Sequence, residues 1–595
     1  MSKIFVSIVA LALLVSCGSS DAEVNDGSDS NAGRATKNGS KYIYGGVLKI
    51  AQNERFVTLF PADVEDAISS KMVSQIHDGL VKFSTKDLSI LNSIADNWTV
   101  DESQTIYTFT LRDNVYFHND PCFTEGKGRK VIASDFKYSF ELMTSKETSQ
   151  NTHLFKDRIV GASDYLEGKA SEISGIQAID ENTLKITIVK PQSSFIYLLA
   201  LPNSVVIAHE AFDKYGNKMT VGAGAFKYVK PTSDSDLYLS YNENYYLKDE
   251  EGNQLPYLDS VIFTYVPTKL SELEMFRTKD ISFIYGLPTS RIAEVVADNI
   301  ANFKNKPPQT ILIREPEMIT QYYEFNAQVP PFDNLKVRKA LNYAVDRERL
   351  INNILNGQGT IGDKGITPMI KPFGDYDFNA INGYSYNPEL ARQLLKEAGY
   401  PNGEGFPSVR LEINLGGNIH KLVATELQYQ FFDVLGIHVE VEQVSFADKV
   451  EHSKYGKSEM FRSAWVADYP SPESFLSVFY GENVPATLDE PSNLNTMRYK
   501  NEMFDSLFVK GTQTANKAER YAYFAKAEGI MMEESPVIIL WYQENYTLYH
   551  SEVRNFYYNA MEYFDFSGVY MKEVTREEVK AAQDKLQSGD PASGF

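Results

Sequence analysis

Only two cysteines, Cys17 and Cys122, occur in 595 residues, and that scarcity constrains the fold more than any other feature. Once the first seventeen residues are removed, no intramolecular disulfide and no cysteine-based metal site is possible. Stability must then come from a buried apolar core. A chain of this length builds one readily, and length alone suggests about two to four domains or lobes. An apolar fraction of 43% and a charged fraction of 23% are those of a soluble globular protein. Beyond the first residues, no segment approaches the roughly 20 apolar residues that a membrane-spanning helix needs. A formal charge of −21 argues against phosphate backbones, which are bound by dense Lys and Arg, so no nucleic acid partner is expected.

Removal of the start is itself expected. Lys3 gives a short positive beginning, and Ile4 to Val15 form an apolar run broken only by Ser7. The run has the size of a signal-peptide core. It ends in Leu14-Val15-Ser16-Cys17, which resembles the bacterial lipobox, and that resemblance implies a lipoprotein signal peptide over 1–17 and lipidation of Cys17. An ordinary secretory signal with an incidental cysteine is the alternative. Two fatty chains would suffice for stable anchoring where one is marginal. Residues 18–41 are small and polar with almost no apolar side chains, and they read as a disordered tether.

Order is expected from Tyr42 onward. Gly45-Gly46 followed by Val47 to Ala51 reads as a turn and a strand. Met72, Val73, Ile76 and Leu80 share one helical face over Ser70 to Leu80. Thr105 to Leu111 and Leu184 to Val189 alternate as strands do. Val337, Leu341, Ala344 and Val345 form a helical stripe, continued by Ile351 and Leu355. Leu390 to Ala398 is a helix stopped by Gly399 and Pro401, and Ala518 to Met532 is another. No repeat of 20–50 residues is visible. A mixed α/β protein with several sheets follows, with a charged tail from Glu573 and a flexible end over 581–595.

Signatures of catalysis are missing. No Gly-rich loop ends in Gly-Lys-Ser/Thr, and Gly126-Lys127-Gly128-Arg129-Lys130 lacks the spacing of a phosphate cradle. His209-Glu210 has no second histidine four residues on, as a zinc-protease helix requires. No Gly-x-Ser-x-Gly elbow occurs. The eight histidines are scattered, so neither a metal nor another cofactor is expected. A carboxylate pair for glycoside hydrolysis is always permitted on paper by 79 acidic residues, but nothing points to one. The chain is expected not to be an enzyme.

Several segments, in order and across nearly the whole chain, then carry a resemblance. Gly45-Gly46-Val47-Leu48, Leu59-Phe60-Pro61 and Ile76-His77-Asp78-Gly79-Leu80-Val81 come first. Ala95-Asp96-Asn97-Trp98, Tyr107-Thr108-Phe109-Thr110-Leu111-Arg112-Asp113-Asn114 and Ala133-Ser134-Asp135-Phe136 follow. Gly222-Ala223-Gly224-Ala225-Phe226 stands where a Gly-Thr-Gly-Pro-Tyr type turn is usual. Pro331-Phe332-Asp333-Asn334-Leu335-Lys336-Val337-Arg338-Lys339-Ala340-Leu341 and Ala391-Arg392-Gln393-Leu394-Leu395-Lys396-Glu397-Ala398-Gly399-Tyr400 complete the series. Together they resemble the extracellular solute-binding proteins of ABC importers, bacterial family 5, which includes oligopeptide- and dipeptide-binding proteins. The resemblance implies an α/β, periplasmic-binding-protein-like fold of type II, with two lobes, a hinge and an additional smaller domain. Lobe I would combine 42–70, 202–312 and 532–580, the additional domain 71–201, and lobe II 313–531. It also implies a monomer in the periplasm or on the cell surface, held at the membrane by its lipid and working beside ABC permease subunits. The ligand would be a short peptide. A sugar, metal chelate or opine in the same fold, a surface-attached hydrolase, and a signalling receptor are the alternatives.

Site residues follow from the same likeness. Within Ala464-Trp465-Val466-Ala467-Asp468-Tyr469-Pro470, Asp468 occupies the position that pairs with a ligand's α-ammonium in peptide binders; a turn aspartate beside Pro470 is the plain alternative. Glu65 matches an acidic residue near the ligand's amino end. Arg462 and His420 match groups that meet the ligand carboxylate for different peptide lengths, and an arginine fork suits a carboxylate. Trp465, Phe446, Tyr322 and Tyr323 are candidates for side-chain pockets or for plain core. Two departures stand out. Asn119 to Lys130 is longer than the usual turn, and Thr148 to Phe155 lacks the tyrosine that peptide binders place near the ligand amine.

Overall fold

A computed structural model describes residues 34, 36 and 40–580, apart from 231–235, 303–308, 416–417, 488 and 579. The leader with Cys17 and the end over 581–595 lie outside the described residues. Part of the expected tether does not hang free. The Arg34 guanidinium lies over the rings of Tyr44 and Tyr241 at 4.5 and 4.1 Å and pairs with Asp259 at 3.1 Å. One arginine among aromatic rings thus docks this stretch onto the body.

The chain lays down β1 (Val47–Gln52), α1 (Ala67–Ile76), β2 (Ala95–Val100), β3 (Ile106–Leu111), β4 (Ile176–Ala178), β5 (Thr183–Thr187), β6 (Phe226–Val229), β7 (Asp236–Tyr241), β8 (Ser260–Tyr265) and β9 (Phe283–Tyr285). The long β10 (Thr310–Phe325) follows, then α2 (Leu335–Ala344), α3 (Arg347–Asn353), α4 (Pro388–Glu397), β11 (Val409–Asn414) and α5 (Asn418–Leu435). After them come β12 (Val439–Val444), α6 (Phe446–Lys454), β13 (Met460–Val466), α7 (Pro472–Leu476), α8 (Lys517–Glu534) and β14 (Val537–His550).

The strands and helices read from periodicity appear with two differences. The first helix stops at Ile76, because His77 is extended and Gly79 bridges to Val205. The stripe from Val337 to Leu355 is two helices. The chain breaks at Val345, and the Asp346 side chain accepts the Arg349 amide to start α3, as an N-cap does.

One 11-stranded sheet runs through the molecule in the order β12-β11-β13-β10-β14-β9-β1-β8-β7-β6, with Thr360–Ile361 pairing on β14 off that path. A separate antiparallel sheet orders β2-β3-β5-β4. The chain crosses the large sheet's waist on β10 and β14. Residues 310–316 pair with 544–550, and 320–324 pair with 537–542, with a register shift between Pro316 and Thr320. The expected boundary at 312/313 therefore falls inside an unbroken strand. Ile538, Leu540 and Trp541 pack in one core cluster with Tyr323, Leu411 and Phe431, although 532–580 was assigned to the other lobe. A strand shared by two halves of a sheet must feed both cores.

A buried network pins this crossing. Glu317 is 4% exposed and accepts from the hydroxyls of Tyr285 and Tyr558 and from the Asn545 amide. The Tyr285 hydroxyl also meets Glu562, whose other oxygen pairs with Lys71 Nζ at 2.6 Å. The Tyr558 hydroxyl also lies 3.3 Å from that of Tyr285. Burial first, and Glu562 second, push the Glu317 carboxyl up.

Candidate functional site

β11, β12 and β13 run parallel, so their carboxyl ends share one edge. Open α/β sheets bind ligands at such an edge. Apolar side chains stand exposed there instead of buried: Leu415 just after β11, Phe446 just after β12 and Val466 closing β13. Charged groups surround them.

β13 pairs with β10 so that Trp465 lies opposite Thr320 and Arg462 opposite Tyr323. Past Val466 the ladder ends with the Ala467 amide on the Met318 carbonyl at 2.9 Å. Ser474 Oγ then accepts the Asp468 amide at 3.1 Å and the Trp465 indole N–H at 3.4 Å. These bonds hold Asp468 at the mouth of the edge. Its side chain is open to solvent, yet surrounding protein raises its pKa, with His153 and Arg158 pulling the other way. Accessible to water but walled by protein is the condition of a cleft. Among the described residues, its carboxylate has no hydrogen-bond or ion-pair partner.

The next residues tie this loop to the smaller sheet's segment. Tyr469 stacks on Tyr197 with ring centroids 5.9 Å apart, and Ser194 Oγ donates to Glu473 Oε1 at 2.8 Å. Glu65 is exposed in the loop before α1. Asn151 Nδ2 donates to the carbonyls of Ala62 and Val64, and Asn203 Nδ2 to those of Pro61 and Val64. Burial raises the pKa of Asp63, and Glu65 beside it adds to the shift. The segment 149–158 therefore braces the Glu65 loop at one end, and its other end carries the His153 and Arg158 charges that act on Asp468.

Deeper along the edge the charge reverses. Arg462 is half-buried and donates to two neutral amides, Gln321 Oε1 at 2.7 Å and Asn414 Oδ1 at 3.5 Å. Desolvation lowers its pKa, and no carboxylate pairs with it among the described residues. Lys449 of α6, 8% exposed, donates to the Arg462 carbonyl at 3.1 Å. Burial lowers its pKa, with Glu324 and Glu412 opposing at longer range. His420, near the start of α5, is pushed down to about 4 by burial, then by Arg462 and Lys449. Arg462 and Lys449 are thus cations placed close together without a contacting anion among the described residues, an arrangement that costs free energy until one arrives, and His420 stands beside them as a neutral ring.

The edge brings together Asp468, Trp465, Arg462, His420 and the exposed Phe446. Tyr322 and Tyr323 are not on its surface. Each is 2% exposed, in separate core clusters on opposite faces of β10, because alternate strand residues point opposite ways. Lys449, Arg158, His153 and Ser474 were not foreseen. Lys449 offered one signal, since it lies three residues after Phe446 and so falls on the same helical face. His153 lies in the Thr148–Phe155 stretch that departs from the family pattern, and Arg158 and Ser474 offered no signal. The insertion around Cys122 lies apart: its thiol is free, burial raises its pKa, and the nearby Asp120 accepts from the Tyr215 hydroxyl at 2.8 Å. Among the described residues no helix is long and apolar enough to cross a membrane, and no group of three or more His, Cys, Asp or Glu is placed to hold a metal.

Comparison with known proteins bears on the family and the fold. The family model of bacterial extracellular solute-binding proteins, family 5, matches residues 90–486. The heme-binding protein A of Haemophilus influenzae is 27% identical over 505 residues, covering 83% of this chain and 86% of that protein. The glutathione-binding protein GsiB of Salmonella typhi is 26% identical over 532 residues, covering 88% and 94%. A solved periplasmic oligopeptide-binding protein, OppAIV of Borrelia burgdorferi, superposes with a TM-score of 0.66 at 26% identity, covering 88% of this chain and 100% of that one.

Proposed function

Because the chain belongs to the bacterial extracellular solute-binding proteins of family 5, we propose that it captures short peptides in the cleft and presents them to an ABC permease. Its relatives are substrate-binding transport proteins, not enzymes, and binding is the whole of the activity. The observation that carries the peptide reading is the pair of uncompensated charges at the strand edge. Asp468 suits a terminal ammonium, and Arg462 with Lys449 and His420 suits a terminal carboxylate. Main-chain bonds to strand edges would hold the peptide between them without reading its sequence. The exposed Phe446 and Trp465 would contact side chains. Glu65 adds negative charge at the amino end.

Closure would turn on β10 and β14, with lobe I and the additional domain on one side and the 313–531 region on the other. The protein would work as a monomer, lipid-anchored through Cys17. Acyl-chain labelling lost in Cys17→Ser tests that anchor.

Names among the relatives widen the ligand class to heme and glutathione. Glutathione is itself a tripeptide with a γ-linked head. Native mass spectrometry of gently purified protein would weigh any retained ligand. Calorimetry with mixed di- to pentapeptides should then give binding that N-acetylation and C-amidation each weaken. High affinity for a sugar or metal chelate, with none for peptides, would refute the peptide reading.

A further inference from the structure

The contacts of Arg34 form a site of their own, apart from the cleft. Its guanidinium lies over the rings of Tyr44 and Tyr241, at 4.5 and 4.1 Å from their centroids, and Nη1 pairs with Asp259 at 3.1 Å. Nη2 donates to the carbonyls of Pro256 and Tyr257. The two charged side chains are only 18% and 15% exposed, so salt screens them less than an exposed pair. Asp259 has no other ion-pair partner among the described residues.

The main chain builds the walls of this site. The Asp259 amide donates to the Gly46 carbonyl at 3.0 Å, and the Asp259 carbonyl accepts the Tyr241 amide at 2.9 Å. The Gly45 amide donates to the Tyr257 carbonyl at 2.9 Å. Tyr44 is held at its far end, where its hydroxyl donates to the Gln254 carbonyl at 2.6 Å. Segments distant in sequence thus meet around one carboxylate through bonds that do not involve Arg34. Two ring faces beside a carboxylate suit a flat cation, and the carbonyls take its remaining N–H groups. An ammonium has no plane to lay on a ring and fewer donors to share out. Residues 18–33 contain no Lys or Arg, so Arg34 is the first cation that the N-terminal stretch offers. A second attachment follows at Tyr42, which stacks on Tyr257 at 4.9 Å and meets Tyr570 edge-on at 5.4 Å.

We propose that Tyr44, Tyr241 and Asp259 form a guanidinium-selective cage for the chain's own Arg34, which shortens the leash to the membrane and shields it from proteolytic shedding. The cage sits at the amino ends of β1 and β8, which run parallel, whereas the Glu65 loop follows the carboxyl end of β1. The chain therefore leaves the body at the edge opposite that loop. The leash, which rests on the lipid reading of Cys17, becomes 18–33 instead of 18–41. Fully extended it spans at most about 55 Å instead of about 80 Å. Arg34, Lys37 and Lys41 are the only basic residues between Cys17 and Tyr42, so the shortened leash carries no tryptic site, and the first such site is held in the cage.

Trypsin reads the cage in the purified full chain, with the cut after residue 34 followed by mass spectrometry. The unaltered protein should be cut there at least tenfold more slowly than Asp259→Asn or Tyr241→Leu, while cuts elsewhere in the body keep their rates. Arg34→Lys keeps the charge, the tryptic site and every residue of the body, and it should also be cut at least fivefold faster. On vesicles, all of these variants should release the body into the supernatant faster than the unaltered protein does. Equal cutting after residue 34 in the unaltered protein and in Arg34→Lys overturns the proposal, because a plain ion pair would then suffice. Equal release from vesicles overturns the shielding. If the unaltered chain does not stay on vesicles at all, the lipid reading fails, and cutting in solution still decides the cage.

Discussion

Replacing Asp468 by asparagine removes one charge and little volume, which makes it the sharpest test of the cleft. An ammonium about 4 Å from a carboxylate gains roughly 1 kcal/mol in water and roughly 4 kcal/mol at an effective dielectric near 20. Asp468 begins open to solvent and ends covered by ligand, so the working value lies between those limits. Asparagine keeps a carbonyl acceptor, which restores part of the loss. The expected weakening is about 1.5–3 kcal/mol, or ~10- to 150-fold in Kd. Calorimetry with a tripeptide such as Ala-Ala-Ala reads it directly. An N-acetylated peptide should bind both proteins alike, because the partner charge is already gone. pH supplies an independent reading. The empty-site pKa of Asp468 is raised by its surroundings, and an arriving ammonium lowers it again. A protonated Asp468 must therefore release its proton to bind, so affinity falls as pH drops through the empty-site value and levels off above it. Asp468→Asn should lose up to one proton from that acid limb. An unchanged Kd, or an identical acid limb in the variant, would remove Asp468 from the site.

Arg462→Gln should weaken a free-carboxylate peptide by roughly tenfold or more, in line with about 1.5–3 kcal/mol for a hydrogen bond to a charged group. It should leave the C-amidated peptide nearly unaffected in the same calorimeter. Glu317→Gln should change the pH dependence of stability. A carboxyl whose folded pKa is raised stabilises the fold below its unfolded pKa, and that contribution is lost as pH rises through the folded value. The variant's melting temperature should therefore gain on the unaltered protein as pH rises above 4.5, and a constant difference would count against the raised carboxyl. Gly222→Ala should destabilise strongly or abolish folding, because its Cβ would lie 2.0 Å from the Ile76 carbonyl oxygen. Thermal melts would show it, and a near-normal melting temperature would contradict the packing at that turn.

Much of this was legible in residue order. Period-two alternation at Thr105–Leu111 and the Gly399 stop after α4 carry local information, and the structure contains both elements. The ordered series of short segments pointed to the family, since each is weak alone and their sequence is not. Local pattern failed where a distant contact decided. The approach of Val205 accompanies the early end of α1, and only the shared ladder of β10 with β14 shows that Ile538, Leu540 and Trp541 serve the core of Tyr323. Tyr322 and Tyr323 are aromatic, adjacent and on an interlobe strand, so nothing local separates pocket from core. Lys449 stands out because no carboxylate contacts it among the described residues, and an absent partner leaves no mark in a one-dimensional sequence.

The ladder at the waist has a consequence for how this chain can be rebuilt. Thr320 and Tyr542 are paired across β10 and β14, and so are Pro316 and Glu544. The polypeptide leaves for its second half and returns from it at neighbouring rungs. The stretch 320–542 is thus a single graft whose two ends already touch, and the body it leaves behind has ends that touch as well. A short turn could close either stump, and a homologous graft could be spliced in at the same rung. Such a chain can exchange its second half by recombination at one place, provided the incoming piece also matches the contacts that Tyr469 and Glu473 make with Tyr197 and Ser194.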